Sequence, residues 1–192
     1  RLLKGSKLVK KKTLRYPQAK AEERLSFIQE IQHYENCNQP IVYIDESGFR
    51  QSDYRPYGYA TKGTPCIDTY NWQQNKQTNA IGAIYQNQLF AVGLYDCSIN
   101  SDIFHHWVEH ILLSELPVAS IIVMDNATFH KRKDTQELIE KAGYHILWLP
   151  TYSPDLNPIE KMWAWLKCKR REWRIKCIDT LFLYFMWICN NY

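Results

Sequence analysis

The spacing of apolar residues along the chain predicts short strands alternating with amphipathic helices. Runs rich in β-branched and aromatic residues predict strands at 41–45, 66–72, 79–86, 89–96, 120–125 and 144–150. Apolar residues three and four positions apart predict helices at 21–34, 100–116 and 133–143, and a long helix from Pro158. Ser101 is the expected N-cap of the second helix, and Gly143 is expected to end the third.

The order of these elements predicts an α/β domain built on a mixed sheet. Segment 46–65 is rich in Gly, Pro, Ser and Asp, so we expect it to form turns. The strands at 79–86 and 89–96 are separated by two residues, which is typical of a hairpin, and the early strands should be antiparallel neighbours. The later strands alternate with helices, so they should run parallel to the first strand.

Length and composition are typical of one folded domain with a hydrophobic core. The chain has 192 residues, of which 45% are hydrophobic and 23% are charged. The net charge of +4 implies no particular partner. Its distribution is more informative, because residues 1–21 carry eight Lys and Arg and no acid, and residues 167–176 carry six more. Both runs could neutralise phosphates, although solvated tails and helix faces often carry such runs too.

The end of the chain is strongly apolar. Residues 178–189, IDTLFLYFMWIC, form a run of 12 residues, which is shorter than the roughly 20 residues that a membrane span needs. We therefore expect a buried or pairing segment, and we treat 177–192 as an atypical tail. The six cysteines lack C-x-x-C spacing and follow no signal peptide, so we expect reduced thiols and a cytoplasmic protein.

Three acidic residues are candidate metal ligands. Asp45 and Asp125 each end an apolar strand, where a carboxylate is costly to bury unless it is paired or binds a cation. The simpler alternative for each Asp is a cap on the following turn. Glu160 is the third residue of a helix start capped by Asn157, where it fits a capping box and also flanks the apolar stripe. Both roles are open for Glu160, and three converging carboxylates would suit Mg²⁺ or Mn²⁺.

A second cluster of potential ligands lies in the predicted helix at 100–116. His106, Glu109 and His110 match the H-x-x-E-H pattern of some zinc proteases. The two histidines share a helix face, but that face lies largely opposite the apolar stripe, and no clear third ligand follows. We interpret the match as a surface coincidence. The sequence has no G-x-S-x-G and no phosphate-cradling Gly loop, which argues against serine hydrolase and nucleotide triphosphatase activity.

Four sequence blocks resemble the DDE transposases, in particular the bacterial insertion-sequence branch related to mariner-like elements. The blocks are YIDESGF at 43–49, YGYATKG at 57–63, VMDNATFHK at 123–131 and LPTYSPDLNPIEKMWAWLK at 149–167. They follow the order of the family, and the 34 residues between Asp125 and Glu160 are a spacing that this superfamily shows. The resemblance implies a ribonuclease H-like α/β fold with a mixed five-stranded sheet flanked by helices.

The resemblance also implies a chemistry. Asp45, Asp125 and Glu160 would be the catalytic and metal-binding triad, holding two Mg²⁺ ions that Mn²⁺ can replace. The ions would first activate water to cut double-stranded DNA at the element ends, and then activate the freed 3′-hydroxyl to attack target DNA. The expected protein is a magnesium-dependent transposase and endonuclease, acting in DNA integration as a homodimer on DNA in the bacterial nucleoid, without membrane contact.

Further residues of the same blocks are expected to support the triad or to contact DNA. The residues beside the triad in the family motifs are Glu46, Asn126, His130 and Asn157. The basic residues expected to contact DNA are Lys10, Lys11, Lys12, Arg15, Arg55, Lys62, Lys167, Arg170 and Arg171.

The chain departs from the family at both ends. Family members carry an N-terminal helix-turn-helix region, so we interpret residues 1–35 as a basic linker and short helix left from such a region. Residues 36–176 would form the catalytic domain, and 177–192 do not resemble the family's ending. Two alternatives stay open: a catalytically inactive DNA-binding remnant, and a ribonuclease H-like nuclease that only hydrolyses.

Overall fold

The computed structural model describes residues 19–50, 61–65 and 77–191. Within these ranges five strands form one sheet, in the order β3-β2-β1-β4-β5. The strands are β1 Ile41–Arg50, β2 Gln77–Tyr85, β3 Gln88–Tyr95, β4 Ile121–Met124 and β5 His145–Trp148. The strand predicted at 66–72 lies outside the described residues.

The mixed character of the sheet is confirmed. Strand β2 runs antiparallel to both β1 and β3, whereas β4 runs parallel to both β1 and β5. The predicted hairpin joins β2 to β3 through Gln86 and Asn87, which both have positive φ, at 47° and 65°. Two consecutive residues in this conformation give a turn whose twist matches that of the flanking strands.

Helices cover both faces of the sheet. They are α1 Ala21–Asn36, α2 Ser101–Trp107, α3 Leu113–Glu115, α4 Lys133–Lys141, α5 Ile159–Glu172 and α6 Ile178–Asn191. A π-helical turn, Val108–Leu112, joins α2 to α3, and short 3₁₀ turns occupy Thr128–Lys131 and Pro154–Leu156. The π-helical turn and helices α2 and α4 bury their apolar residues on one face, and α1, α5 and α6 bury theirs on the other. No helix in the described ranges has both the length and the apolar character needed to cross a membrane.

Two local predictions were wrong, and one was confirmed. The first part of segment 46–65 is strand rather than turn, because β1 continues to Arg50, paired with β2, and buries Phe49. The cap of α2 is Asn100 rather than Ser101, since the Asn100 side chain accepts hydrogen bonds from the two backbone N–H groups of residues 102 and 103. Gly143 follows α4 with a φ of +86°, as expected of a residue that ends a helix.

The apolar end of the chain folds as helix α6 and packs onto the sheet. Among its side chains up to residue 187, four are buried and join Phe49 and Trp163 in one cluster; they are Ile178, Leu181, Phe182 and Phe185. The ring of Phe49 lies edge-on to both Trp163 and Phe182, with centroids 6.2 and 5.5 Å away. Helix α6 therefore supports helix α5 from the side, and both helices share one core with the end of β1.

A glycine in β2 lets helix α5 approach the sheet closely. A Cβ atom added at Gly82 would lie 3.2 Å from Cη2 of Trp163 and 3.3 Å from Cδ1 of Leu89. Gly82 is also the residue that pairs with Asp45 of β1. The missing side chain thus brings α5 against the part of the sheet that carries Asp45.

Replacing Gly82 tests this close approach. We expect Gly82→Val to lower the free energy of unfolding by about 1–3 kcal/mol, because its methyl groups would push Trp163 and α5 away from the sheet. Gly82→Ala is the matched control and should cost less, since the neighbours of a single Cβ need to give by only a few tenths of an ångström. Urea denaturation followed by tryptophan fluorescence measures both; equal midpoints for wild type and Gly82→Val would contradict the packing argument.

Candidate functional site

The two aspartates of the predicted triad lie on neighbouring parallel strands. The last pair of the β1–β4 ladder is Tyr43 with Val123. Asp45 and Asp125 each follow two residues later, so both lie just beyond the β1–β4 ladder at the same edge, although Asp45 is still paired with Gly82 of β2. This placement agrees with the general tendency of α/β sheets to collect functional groups at the carboxyl ends of parallel strands.

Glu160 comes to this edge from the first turn of helix α5, without the contacts of a capping box. Asn157 has extended backbone angles and its Oδ1 accepts a long hydrogen bond, 3.4 Å, from the N–H of Ile159. The N–H of Asn157, which a capping-box glutamate would bind, donates instead to the carbonyl of Pro154 at 3.0 Å. The Glu160 side chain is exposed at the start of the helix. Its position therefore leaves the carboxylate available for another partner.

These carboxylates lie near enough for their charges to affect one another. Burial first, and then the negative charges of Glu46, Glu160 and Asp125, raise the pKa of Asp45 to about 8. The backbone N–H of Glu46 opposes this rise only in part. Asp45 therefore carries a carboxyl group that is costly to ionise, at a place where a cation would remove the cost.

The second aspartate has a different environment, because His130 lies beside it. Nδ1 of His130 is 2.8 Å from Oδ1 of Asp125, and Nε2 is 2.8 Å from Oε1 of Glu46. Burial works against the charged carboxylate of Asp125, but hydrogen bonds from His130 and from the N–H of Ala127 lower its pKa below the usual value. Burial likewise works against charged His130, but its hydrogen bonds to Asp125 and Glu46 raise its pKa to about 9.

The side-chain amides of Asn126 and Asn157 donate hydrogen bonds to the backbone around the candidate site. Nδ2 of Asn157 donates to the carbonyl of Ile44, the residue before Asp45, at 3.4 Å. Nδ2 of Asn126 donates to the carbonyl of Leu149 at 2.5 Å. The two amides tie the start of α5 to β1, and the end of β4 to the residue after β5. These contacts place the two asparagines beside the candidate triad residues.

A bidentate ion pair, which the sequence did not suggest, links helix α1 to the loop before α5. Both terminal nitrogens of Arg24 donate to the Asp155 carboxylate, at 2.9 and 2.7 Å. Phe27, one turn later in α1, is buried against Leu147 and Leu149. Helix α1 thus holds the loop that leads to Glu160, although its polar sequence identifies it only as an amphipathic helix.

The donor set fits a hard divalent cation. The three acids offer only oxygen atoms, and Asp45 lies among like charges that such an ion would neutralise. Within the described residues, no three His, Cys, Asp or Glu side chains are already close enough to hold one ion. The carboxylates share an edge of the sheet, and binding would draw their side chains together.

The candidate DNA-binding residues have different environments. Lys62 and Arg171 are exposed, and Lys167 is half-buried, with Nζ 5.4 Å from the centroid of the Phe49 ring. The assignment of Arg170 to DNA contact was wrong, because it is only 4% exposed and donates to the carbonyls of Arg50, Ile175 and Lys176. The remaining candidates lie outside the described residues; they are Lys10, Lys11, Lys12, Arg15 and Arg55.

The histidine-rich pattern in the second helix lies apart from the triad residues in the chain. His106, Glu109 and His110 are exposed, with the two imidazole centroids 4.2 Å apart and Oε2 of Glu109 3.4 Å from Nε2 of His110. Glu109 belongs to the π-helical turn, and its carboxylate makes a contact typical of a solvated surface. It therefore offers a suitable control position for variants of the triad.

One residue that matters for the site was missed from the sequence. Gly82 allows helix α5, and with it Glu160, to lie close to β1. A glycine inside the apolar run NAIGAIYQ was the available signal, because glycine in a strand often marks a close approach of another element. The sequence could not show which element approaches.

A comparison with protein families supports the resemblance seen in the four sequence blocks. A family model described as DDE superfamily endonuclease matches residues 40–182, well over half of the chain. The match includes the whole sheet and the start of helix α6. No curated protein matches the chain in a sequence comparison.

Solved structures of the Mos1 transposase share the fold. The "Mos1 transposase paired-end complex with left transposon end" matches with a TM-score of 0.61 at 18% identity, over 83% of this chain and 53% of that chain. The "mariner Mos1 paired end complex with Mg" matches with a TM-score of 0.69 at 15% identity, over 97% and 60%. The "catalytic domain of Mos1 mariner transposase" matches with a TM-score of 0.63 at 16% identity, over 89% and 80%. At these identities the comparison shows the fold alone, a ribonuclease H-like fold, and this chain spans about half the length of the first of these proteins.

The raised pKa of Asp45 predicts a pH-dependent cost to stability. The folded chain holds the Asp45 proton up to about pH 8, whereas the ordinary carboxyl pKa is 3.8. The stability that the protonated group contributes is therefore complete below about pH 4 and is lost as the pH rises through about 8. In metal-free buffer Asp45→Asn should be more stable than wild type, by a margin that grows over this range to at least about 2 kcal/mol.

Urea denaturation in EDTA at several pH values measures this margin, with Glu109→Gln as the control that should track wild type. Added Mn²⁺ should narrow the margin, because an ion that binds the folded wild type stabilises it and finds one ligand fewer in Asp45→Asn. A margin that stays constant between pH 4 and 8 would show that Asp45 is not in a raised-pKa environment.

Proposed function

Since the chain belongs to the DDE superfamily endonucleases, we propose that it is the catalytic domain of a transposase that cuts double-stranded DNA and joins the freed 3′ end to target DNA. The observation that carries the proposal is the placement of Asp45 at the carboxyl end of the parallel strands, with its pKa raised by burial and by the charges of Glu46, Glu160 and Asp125. Such a group is poorly suited to a purely structural role, because among the described residues only the backbone N–H of Glu46 favours its ionised form, and the pKa stays raised.

The three carboxylates have separate roles in this proposal. Asp45, Asp125 and Glu160 would hold Mg²⁺ or Mn²⁺, and two such ions activate an attacking oxygen and stabilise the leaving oxygen in phosphodiester chemistry. Asp45 would offer a carboxylate held in place by strand β1. Glu160 would offer a carboxylate that is exposed at the start of α5. Asp125 supplies a ligand that stays ionised, because His130 and Ala127 lower its pKa. Solved Mos1 complexes that contain transposon-end DNA, Mg or Mn support this assignment by analogy.

The proposal extends to partners and setting. Lys62 and Arg171 are exposed cations that would neutralise phosphates, and residues 1–35 would connect to a region that reads the element ends. We further propose a homodimer on DNA, in the bacterial insertion-sequence branch, acting at the nucleoid. The relevant partner is double-stranded DNA, because it provides both element ends and target.

A nicking assay tests the chemistry without requiring element-end sequences. Supercoiled plasmid is incubated with the chain and Mg²⁺ or Mn²⁺, and conversion to the open circle is followed on a gel. We expect Asp45→Asn, Asp125→Asn and Glu160→Gln each to lower the rate by at least ~100-fold, since each removes a ligand that contributes several kcal/mol to the reaction. Glu109→Gln, an exposed acid in the π-helical turn, should cut like wild type.

The outcomes distinguish three hypotheses for the chain: a transposase catalytic domain, an inactive DNA-binding remnant, and a nuclease that only hydrolyses. Undiminished nicking by Asp125→Asn would eliminate the proposed triad. Salt-dependent DNA binding by a wild type that does not cut with either ion would favour the inactive remnant. Covalent joining of an oligonucleotide with a free 3′-hydroxyl to the plasmid would exclude a nuclease that only hydrolyses.

A further inference from the structure

His130 is a buried histidine that the proposed reaction does not itself require. It is only 1% exposed, and its ring lies 4.4 Å from the ring centroid of Phe104 and 4.2 Å from that of Phe129. The two aromatic rings restrict how the imidazole can turn. Both of its nitrogens nevertheless reach carboxylates, so its polar atoms have defined directions.

One end of the imidazole holds a single oxygen of Asp125. Nδ1 of His130 lies 2.8 Å from Oδ1 of Asp125 and 3.3 Å from the backbone carbonyl oxygen of the same residue. The backbone N–H of Ala127 donates to Oδ1 at 2.9 Å. The imidazole and this N–H therefore both lie at Oδ1. The carboxylate is 52% exposed and would otherwise be free to rotate. With Oδ1 held, Oδ2 is the atom left for an outside ligand.

The other end of the imidazole is anchored on strand β1. Nε2 of His130 lies 2.8 Å from Oε1 of Glu46, which is 19% exposed. Glu46 directly follows Asp45, so the pleat points these two side chains to opposite faces of the sheet. One strand thus carries a candidate metal ligand on one face and the anchor of His130 on the other.

We propose that Glu46 and His130 are positioning residues that fix the Asp125 carboxylate, so that Oδ2 is presented to the divalent cation of the proposed site. This inference rests on the proposed function, because it requires that the site binds a metal ion. The contact between His130 and Asp125 carries the effect, and Glu46 holds the imidazole in place. Supporting contacts of this kind typically change metal affinity by about 10–100-fold.

Two amide variants of His130 separate its two contacts. In His130→Asn the amide nitrogen occupies nearly the place of Nδ1, so the variant keeps a donor towards Asp125 and loses the contact with Glu46. In His130→Gln the amide nitrogen reaches the place of Nε2, so the variant keeps the contact with Glu46 and releases Asp125. Each variant retains one of two buried contacts, which makes the pair a matched comparison.

The measurement is Mn²⁺ affinity by electron paramagnetic resonance, with no DNA present. We expect the Kd of His130→Asn to stay within about 3-fold of wild type and that of His130→Gln to rise about 10–100-fold. Glu46→Gln, which keeps an acceptor for Nε2, should stay close to wild type, whereas Glu46→Ala should weaken binding. Thermal unfolding in EDTA reports on the fold of each variant independently of the metal.

Three results would decide against the proposal or its premise. Equal Mn²⁺ affinity for His130→Asn and His130→Gln would overturn the positioning role, because a purely structural histidine would affect both alike. If His130→Gln does not fold, equal affinities for Glu46→Gln and Glu46→Ala overturn it instead. A wild type that binds no Mn²⁺ refutes the proposed function itself, whatever the variants do, so the two failures are distinguishable.

Discussion

The burial of Asp45 beside other carboxylates is the constraint on which the candidate site depends. Asp45 lies within a paired strand, where burial and the charges of Glu46, Glu160 and Asp125 all oppose its ionisation. Among the described residues, His130 offsets part of this negative charge, because it lies between Glu46 and Asp125. On the face that carries Asp45, burial and like charge dominate. A divalent cation bound near Asp45 would offset the negative charge of that carboxylate, as His130 offsets the charges of Glu46 and Asp125.

The pleat of β1 makes this division possible. Tyr43, Asp45 and Phe49 point to the face covered by α5 and α6, whereas Ile44 joins the core beneath α2 and α4. Consecutive acids at 45 and 46 therefore enter different environments although only one peptide bond separates them. A shift of β1 by one residue would exchange the two carboxylates and place Glu46 opposite helix α5. The β1–β2 ladder, which extends to Arg50, resists such a shift.

Periodicity in the sequence predicted most of the elements, and tertiary contacts decided the rest. The runs IVYID and SIIVM are recognisable as buried strands because β-branched residues are continuous in them. The extension of β1 through Ser47 and Gly48 was not recognisable, since the partner strand supplies the hydrogen bonds that those residues alone would not favour. Charge likewise misidentified Arg170, because a guanidinium can be buried wherever three carbonyls converge on it. The sequence marked Asp45, Asp125 and Glu160 as candidate acids, but it could not show that His130 bridges Asp125 to Glu46.

The position of Glu160 illustrates how far the site depends on packing outside the sequence blocks that suggested it. A helix turns by about 100° per residue, so a small rotation or slide of α5 would carry this carboxylate away from β1. Trp163, one turn later, prevents that movement because it packs over Gly82 and against Phe49 and Phe182. Phe182 belongs to the apolar tail at 177–192, whose sequence does not resemble the family's ending. The motif therefore supplies Glu160, the proposed ligand, while a glycine in β2 and an aromatic side chain of α6 support the helix that carries it.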